Sequence, residues 1–372
     1  MKYYLIAGEA SGDMHGSNLI KALHHLDAQA EMRCWGGELM EAAGADLVKH
    51  YKDLAFMGFV EVVKNWKTIF KNIQFCKQNI TDFKPDALIL IDYPGFNLRI
   101  AAWAKTQNIP VFYYISPQIW AWHTSRVHKI KQIVDKMLVI LPFEKDFYQK
   151  YDYQVDFVGH PLLDMIAQTS KTPDWSTKKG LNDKQIVALL PGSRKQEILA
   201  VLPSMLSVVN DFPNYQFVIA GAPSQPISLY HNVLTQNGVD LEAVKIIPNE
   251  TYQLLQHAAA ALVTSGTATL ETALLDVPQV VCYKGGAISF AIAKRLVKLK
   301  YISLVNLIMD KEIVKELIQK DLNYQHLRHA LTSILQNPQL IRQEYVTLRQ
   351  RLGNAGASER AAKLIVDWFK KL

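Results

Sequence analysis

An aspartate stands where an enzyme would place a general base. Asp92 directly follows the apolar run Ala87–Ile91 and precedes the rigid turn residues Pro94 and Gly95. Apolar neighbours raise the pKa of a carboxyl group, which makes its carboxylate a better proton acceptor. The alternative, equally weighted by the sequence, is a side chain that only caps backbone amides of the turn. Asp92 is the candidate catalytic residue.

A loop in the second half of the chain has the composition of a phosphate site. Gly192, Ser193 and Arg194 follow the apolar run Ile186–Leu190. Glycine allows close backbone approach, amides at a helix start favour anions, and arginine offers a forked donor to phosphate. The alternative is a solvated turn whose arginine has no ligand. The combination favours an anion site.

A further loop repeats this pattern with hydroxyl residues. Ser265, Gly266 and Thr267 follow the apolar run Ala260–Val263, and Glu271 lies one helical turn beyond Thr267 on the same face. In that position Glu271 can accept hydrogen bonds from ribose hydroxyls. The alternative is a capping box, which requires a spacing of three residues and fits poorly with the four observed.

The first loop of the chain, Ala7–Asp13, is a glycine-containing turn between a strand and a helix. Ser11 or Asp13 can cap the helix that follows, and Gly12 permits a tight turn. The dinucleotide pattern Gly-x-Gly-x-x-Gly and the P-loop pattern Gly-Lys-Ser/Thr are both absent. A turn and cap without chemistry is the alternative interpretation of this loop.

Together the loops predict a nucleotide diphosphate bound beside a second substrate. Group transfer from a nucleotide-activated donor follows from that pairing. The sequence contains no dense cluster of Asp, Glu and His, so we expect no metal and no cofactor. Helix dipoles and basic side chains would then neutralise the leaving diphosphate. His160 also follows a strand-like run, where we expect it to stabilise a turn.

Short apolar runs that alternate with amphipathic stretches must position these loops. Runs that are apolar throughout are typical of parallel strands buried on both faces, joined by helical crossovers. The predicted strands are Tyr3–Ala7, Glu31–Trp35, Ala87–Ile91, Val111–Tyr114, Met137–Leu141, Val155–Val158, Ile186–Leu190, Gln216–Ala220, Val244–Ile247, Ala260–Val263 and Gln279–Tyr283. The polar segment 167–180 predicts a linker. We expect two open α/β sheets with ligands beyond the carboxyl ends of their strands.

Length and charge limit the class of protein. The chain has 372 residues, too many for one core, and 41 basic against 34 acidic residues give a net charge of +7. This surplus favours phosphate, nucleic acid or an anionic membrane surface as partner. No signal peptide or membrane-spanning run is present, and three scattered cysteines match no zinc or disulfide spacing. The sequence predicts a cytosolic protein.

The basic residues concentrate in three segments. The predicted helix 58–78 carries Lys64, Lys67 and Lys71 beside an apolar stripe, and the other segments are Arg126–Lys131 and Lys294–Lys300. Such a helix is typical of a membrane-surface element, although an ordinary surface helix is the commoner alternative. We find no recognition helix and no RNA-binding aromatic pattern, so we expect no nucleic-acid partner.

Nine motifs in order resemble the lipid-A-disaccharide synthase family of bacterial glycosyltransferases. They are Ala7–Asp13, Ile91–Asn97, Tyr114–Trp122, Leu141–Glu144, Val158–Pro161, Leu189–Arg194, Ser265–Glu271, Ala293–Lys298 and Tyr301–Asn306. The resemblance implies an α/β fold of the GT-B type, with two Rossmann-like doubly wound domains that face a cleft. The implied domains are residues 1–170 and 171–357, with a C-terminal helix near 358–372 that packs back on the first.

The resemblance also implies the reaction. The first domain would bind 2,3-diacylglucosamine 1-phosphate and the second UDP-2,3-diacylglucosamine, giving a β-1,6-linked disaccharide 1-phosphate and UDP with inversion. Asp92 would be the base; the donor residues would be Gly192, Ser193, Arg194, Ser265, Gly266, Thr267, Glu271 and Asn306. The first-domain loops expected near the acceptor contribute Glu9, Ser11, Gly12, Asp13, Asn97, Trp120 and Arg126.

The resemblance also bears on cellular location and assembly, and the sequence departs from the family pattern at two positions. Family members are peripheral inner-membrane proteins, so we expect cytoplasmic location with attachment to the anionic inner membrane. Whether the chain forms a homodimer stays open. In the family the Asp92 loop often carries a second acid where Gly95 stands here, and arginine often occupies the position of His123. Other UDP-sugar enzymes of the same fold, a UDP-N-acetylglucosamine 2-epimerase or a murein glycosyltransferase, are the alternative.

Overall fold

The computed structural model describes residues 1–54, 66–286 and 300–371. These residues form two compact units. The first comprises Met1–Asp164 together with Gly353–Leu372, and the second comprises Met165–Leu352. Each unit is built around one parallel β-sheet, so the predicted α/β fold class is confirmed.

The first unit contains a seven-stranded sheet in the order β3-β2-β1-β4-β5-β6-β7. Its strands are β1 (Lys2–Ala7), β2 (Glu31–Gly36), β3 (Asp46–His50), β4 (Ala87–Ile91), β5 (Val111–Tyr114), β6 (Lys136–Val139) and β7 (Asp156–Phe157). All neighbouring strands pair in parallel. The order reverses direction at β1, and ligands bind beside such a switch point in open α/β sheets.

Helices connect these strands on both faces of the sheet. They are α1 (Ala10–Leu26), α2 (Glu38–Ala42), α3 (Trp66–Phe83), α4 (Pro94–Thr106), α5 (Ile119–Trp122), α6 (Arg126–Ile133), α7 (Pro142–Gln149) and α8 (Leu162–Gln168), with a 3₁₀ turn at Tyr51–Leu54. Every residue of β4 is fully buried, as expected for a strand covered on both faces. The apolar runs seen in the sequence therefore form the centre of the sheet.

The second unit contains a six-stranded parallel sheet in the order β10-β9-β8-β11-β12-β13. Its strands are β8 (Gln185–Leu190), β9 (Tyr215–Gly221), β10 (Val244–Pro248), β11 (Ala258–Thr264), β12 (Gln279–Tyr283) and β13 (Lys315–Ile318). Its helices are α9 (Trp175–Lys178), α10 (Lys195–Leu206), α11 (Ile227–Gln236), α12 (Thr251–His257), α13 (Thr267–Leu274), α14 (Leu304–Met309), α15 (Tyr324–Gln336) and α16 (Pro338–Leu352), with 3₁₀ turns at Val209–Asp211 and Gln319–Asp321.

The last helix, α17 (Ala357–Phe369), belongs to the first unit. The carboxylate of Asp164 accepts hydrogen bonds from the backbone amides of Gly356, Ala357 and Ser358 at the start of this helix. At the other end, the Trp368 ring lies edge-on to Phe112 of β5, with 5.5 Å between ring centroids. An anionic cap and aromatic packing therefore hold α17 against the first sheet.

The structure differs from the sequence prediction in two respects. The edge strands β3 and β13 were not predicted, because their sequences, DLVKH and KELI, are mixed and none of the five β3 residues is fully buried. The predicted linker 167–180 packs on the second unit instead. Trp175 is buried in that unit's core, and its indole Nε1 donates to Glu250 at 2.6 Å.

Two of the predicted basic segments lie partly outside the described residues. From Trp66 onward the predicted helix 58–78 is α3, which continues to Phe83. Lys64 and most of Lys294–Lys300 are not described. Within the described part of the chain, no helix combines the length and the apolar character needed to span a bilayer.

Candidate active site

Asp92 lies at the carboxyl end of β4, beside the switch point of the first sheet. Its side chain is half-buried, and its backbone has a left-handed φ of 45°, as does that of Tyr93 at 49°. The next residue, Pro94, begins α4 with a preset φ. The chain therefore turns sharply from strand to helix at Asp92, as expected for a side chain presented to a ligand.

The surroundings of Asp92 make it a stronger base than an ordinary aspartate. Burial and, to a smaller extent, the negative charge of Glu9 raise the pKa of its carboxyl group from 3.8 to about 6. A hydrogen bond from the Tyr93 amide acts in the opposite direction. That bond is the amide-capping contact of the alternative interpretation, so Asp92 combines a turn-capping contact with a base-like pKa.

Two buried side chains hold the backbone carbonyl of Asp92. The Tyr113 hydroxyl donates to it at 2.6 Å, and Nδ2 of Asn97 donates at 2.8 Å. Asn97 was predicted as an acceptor-loop residue, whereas its side chain is fully buried beneath the loop. The sequence analysis did not select Tyr113, which is an inconspicuous aromatic residue within an apolar strand.

The loop 7–13 brings Glu9 near Asp92 but uses Asp13 for structure. Helix α1 begins at Ala10, and its N-cap residue, Glu9, makes no side-chain capping bond. The prediction that Ser11 or Asp13 caps this helix is therefore wrong. The buried carboxylate of Asp13 instead accepts from the amides of Gly37, Leu39 and Met40, which begin α2. Asp13 lies one turn inside α1 and so faces the neighbouring helix.

Of the remaining loop residues, Ser11 is exposed and Gly12 is buried. A Cβ atom on Gly12 would lie 3.1 Å from the Cβ of Ala7, so glycine allows α1 to approach β1 closely. This contact explains the glycine without any ligand.

Trp120 is engaged by a buried carboxyl group that the sequence analysis did not single out. Its indole Nε1 donates to Glu144 at 3.2 Å, and Glu144 also accepts from the amides of Ile140 and Leu141. Burial raises the pKa of Glu144 to about 7. Arg126 begins α6 and is half-buried. Trp120 therefore has a structural bond within the first unit.

His160 has the turn-stabilising role that the sequence predicted. It is buried, and its Nδ1 accepts the amide of Leu162 at 3.3 Å. Burial lowers its pKa to about 3, with a smaller contribution from His15, so the imidazole is neutral.

The two candidate phosphate loops start from neighbouring strands of the second sheet. Strands β8 and β11 pair in parallel, so the loops that follow them leave the same edge side by side. Gly192 has a φ of 108° and Gly266 a φ of 146°, conformations that favour glycine. The two loops that the sequence predicts in one domain therefore lie next to each other in the second unit.

Arg194 is exposed at the start of α10. Its guanidinium pairs with Glu197 at 3.0 Å, and Glu197 also accepts the Arg194 amide at 3.4 Å. The carbonyl of Ser193 accepts from Ser224 and Gln225. The local ion pair is solvent-exposed and weak, so it leaves the guanidinium available to an incoming phosphate.

The loop before α13 leaves its helix start uncapped by side chains. Gly266 is the N-cap residue, and none of the described side chains bonds to the first amides of α13. Ser265 donates to the carbonyl of Ile302 at 3.1 Å, which ties this loop to the segment before α14. The capping-box alternative for Glu271 is therefore wrong, and the amides at Thr267 can face an anion.

Glu271 is a half-buried carboxyl group that forms no ion pair with any basic side chain of the described residues. Burial raises the pKa of Glu271 to about 7. Burial also raises the pKa of the neighbouring Tyr252 hydroxyl, and the charge of Glu271 adds to that rise. Within the described residues, no side-chain hydrogen bond to its carboxylate is present. An acceptor of this kind is suited to a ligand that brings its own hydroxyl donors.

The side-chain amide of Asn306 makes its hydrogen bonds within the protein. It is fully buried; its Nδ2 donates to Val314 and Glu316, and its Oδ1 accepts the amides of Ile313 and Val314. These bonds use the hydrogen-bonding capacity of the amide, so we leave Asn306 out of the donor site. Across the described residues, no group of three or more His, Cys, Asp or Glu is arranged to hold a metal ion.

The fold defines the class of protein. The chain is similar to S. aureus MnaA, solved with UDP, with a TM-score of 0.72 at 13% identity over 100% of this chain and 97% of that chain. It is also similar to the glycotransferase of kitacinnamycin, with a TM-score of 0.66 at 14% identity over 98% of each chain. The fold is therefore the GT-B type of glycosyltransferases.

The family follows from sequence comparison. The model of the lipid-A-disaccharide synthetase family matches residues 3–366. The lipid-A-disaccharide synthase of Syntrophus aciditrophicus (strain SB) is 40% identical over 375 residues, which cover 99% of this chain and 97% of that protein. The chain belongs to the lipid-A-disaccharide synthase family and is a glycosyltransferase, which confirms the resemblance found in the nine motifs.

Proposed function

We propose that this protein transfers 2,3-diacylglucosamine from UDP-2,3-diacylglucosamine to 2,3-diacylglucosamine 1-phosphate. The products are the β-1,6-linked disaccharide 1-phosphate and UDP. The observation that carries the proposal is membership of the lipid-A-disaccharide synthase family over nearly the whole chain. The chemistry of the loops in both units supports it.

The second unit would hold the donor nucleotide. The amides that follow Gly266 would bind the diphosphate, because this loop leaves its helix start open and a Cβ atom on Gly266 would meet no neighbour within 4 Å. Arg194 would add a forked donor from the Gly192 loop, where Glu197 already accepts the Arg194 amide. Thr267 and Ser193 would add hydroxyl donors, and Ser265, whose hydroxyl donates to Ile302, would hold the loop in place. Glu271 would accept hydrogen bonds from the ribose, a role that suits a half-buried carboxyl group with no ion-pair partner among the described residues.

In the first unit, Asp92 would act as the general base. Its carboxylate takes the proton of the acceptor 6-hydroxyl while that oxygen attacks the anomeric carbon, and UDP leaves from the opposite face. The configuration is inverted because only one displacement occurs. A carboxyl group with a pKa near 6 is ionised at neutral pH yet is a better acceptor than an ordinary aspartate. Arg194 and the helix-start amides offset the charge that develops on the diphosphate.

We further propose that the protein works at the cytoplasmic face of the inner membrane. Helix α3 exposes Phe70 and Phe75, 56% and 48% accessible, beside the exposed Lys71. Helix α6 adds the exposed Lys129 and Lys131. Aromatic and basic side chains together suit an anionic lipid surface. Binding to anionic vesicles should weaken with added salt, and salt-independent binding to neutral vesicles would contradict this proposal.

The reaction is tested by supplying both acylated substrates and following the products by mass spectrometry. We expect a disaccharide 1-phosphate and one UDP per linkage formed. Parallel incubation with UDP-N-acetylglucosamine, which has no acyl chains, should give neither disaccharide nor a 2-epimer. Turnover of the non-acylated sugar without disaccharide formation from the acylated pair would overturn the proposal.

A further inference from the structure

The backbone at the proposed base is held in an unfavourable conformation. Asp92 and Tyr93 are consecutive residues with φ near +50°, a region that non-glycine side chains rarely adopt. Such residues persist only where the surrounding structure enforces them. Some part of the first unit must therefore stabilise this pair.

Two buried donors converge on the main chain of Asp92. The Tyr113 hydroxyl and the Asn97 amide both donate to the Asp92 carbonyl, and the Asp92 amide donates to Tyr114 of the neighbouring strand at 3.1 Å. Tyr113 is fully buried in β5, and burial raises the pKa of its hydroxyl well above the ordinary value. The hydroxyl therefore stays protonated and remains a donor.

The Tyr93 ring is fixed from the opposite side. A Cβ atom on Gly8 would lie 2.3 Å from this ring, so the ring occupies the space that only a glycine leaves open. The ring also stacks on Phe96, with centroids 5.7 Å apart. The ring of the second residue of the strained pair is thus packed against Gly8, which follows β1, and against Phe96 of α4.

We propose that Tyr113 is a positioning residue, whose hydrogen bond to the Asp92 carbonyl sets the direction of the catalytic carboxylate. Tyr113 acts through the main chain of Asp92 and does not contact substrate. The inference rests on the proposed function, because it needs Asp92 to be the base. Loss of the hydroxyl would let the strained pair relax, and a misdirected carboxylate would accept the proton less well.

The test is Tyr113→Phe, with Tyr153→Phe as a matched control. Tyr153 lies in the same core, and its hydroxyl also donates to a backbone carbonyl, that of Val134, at 3.1 Å. Both variants should lose similar thermal stability, about 2–4 °C in Tm. Only Tyr113→Phe should lower kcat, roughly 10- to 100-fold, with KM for both substrates nearly unchanged. Equal kcat values for the two variants would overturn the proposal.

The pH profile and a double variant separate this inference from the proposed function. In Tyr113→Phe the acidic limb of kcat/KM, which reports the free enzyme, should move below its wild-type position near pH 6, because a displaced carboxylate is better hydrated. In an Asp92→Asn background, Tyr113→Phe should cause no further loss. If Asp92→Asn alone retains turnover, the proposed base is wrong; if it loses turnover and Tyr113→Phe does not, only the positioning role fails.

Gly8→Ala provides an independent perturbation. The added methyl group would displace the Tyr93 ring and disturb the strained pair without removing either hydrogen bond to the Asp92 carbonyl. We expect the same signature, a lower kcat with a shifted acidic limb. Wild-type kcat and pH dependence in a folded Gly8→Ala protein would argue against the role of this backbone conformation.

Discussion

Asp92→Asn should make the protein more stable while it removes turnover. The carboxyl pKa rises from 3.8 to about 6 on folding, mainly through burial. At about 1.4 kcal/mol per pKa unit, the ionised carboxylate opposes folding by about 3 kcal/mol at most. Because the side chain is half-buried and water screens part of this effect, we expect a gain of about 1–3 kcal/mol in the asparagine variant.

The effect of Asp92 on the free energy of unfolding depends on pH. Between pH 4 and 6 the folded protein holds a proton on Asp92 that the unfolded chain has released, so this group lowers stability as the pH rises. The gain from Asp92→Asn should be complete at pH 7 and should disappear toward pH 4. Urea unfolding at pH 4, 5, 6 and 7 measures it, and kcat should fall about 10²- to 10⁴-fold.

The control is Asp146→Asn, which changes an exposed aspartate on α7 of the same unit. It should leave both the free energy of unfolding and kcat unchanged. A lower stability of Asp92→Asn at pH 7 would refute the reasoning about burial. Turnover close to wild type would refute the assignment of Asp92 as base.

Four further perturbations test other parts of the structure. Glu9→Gln removes a negative charge near the proposed base, Asp92, so the acidic limb of kcat/KM should move to lower pH. Arg194→Ala should weaken UDP binding about 10- to 100-fold by calorimetry, whereas Arg328→Ala, an exposed ion-pair residue of the same unit, should not. Glu271→Gln should weaken UDP-sugar binding about tenfold at pH 8 and abolish its tightening between pH 6 and 8, because the group ionises near pH 7. Asp164→Ala leaves three amides at the start of α17 without their acceptor, so urea unfolding should show a loss of about 1–3 kcal/mol; an unchanged midpoint would contradict this role.

The central elements of the fold could be predicted from the sequence. Strands such as β4 are apolar at every position because parallel strands are covered on both faces, and this composition is visible without a structure. The edge strands β3 and β13 could not be predicted, because these two strands are only partly buried and their composition is mixed. The same reason explains segment 167–180, whose one apolar anchor, Trp175, is surrounded by polar residues.

Some features of the candidate site could likewise be predicted from the sequence, and others required the structure. The sequence by itself determined where the candidate ligand loops begin, since Asp92, Gly192 and Gly266 each follow a buried strand and glycine has a local conformational meaning. Only the tertiary structure decided which polar side chains are free for a ligand. The side chains of Asp13 and Asn306 are polar enough to bind a ligand, but both already accept hydrogen bonds from backbone amides of the protein. Asp13 accepts from Gly37 and Asn306 accepts from Ile313. Burial and partner choice are properties of the packed chain, so residue type alone does not reveal them.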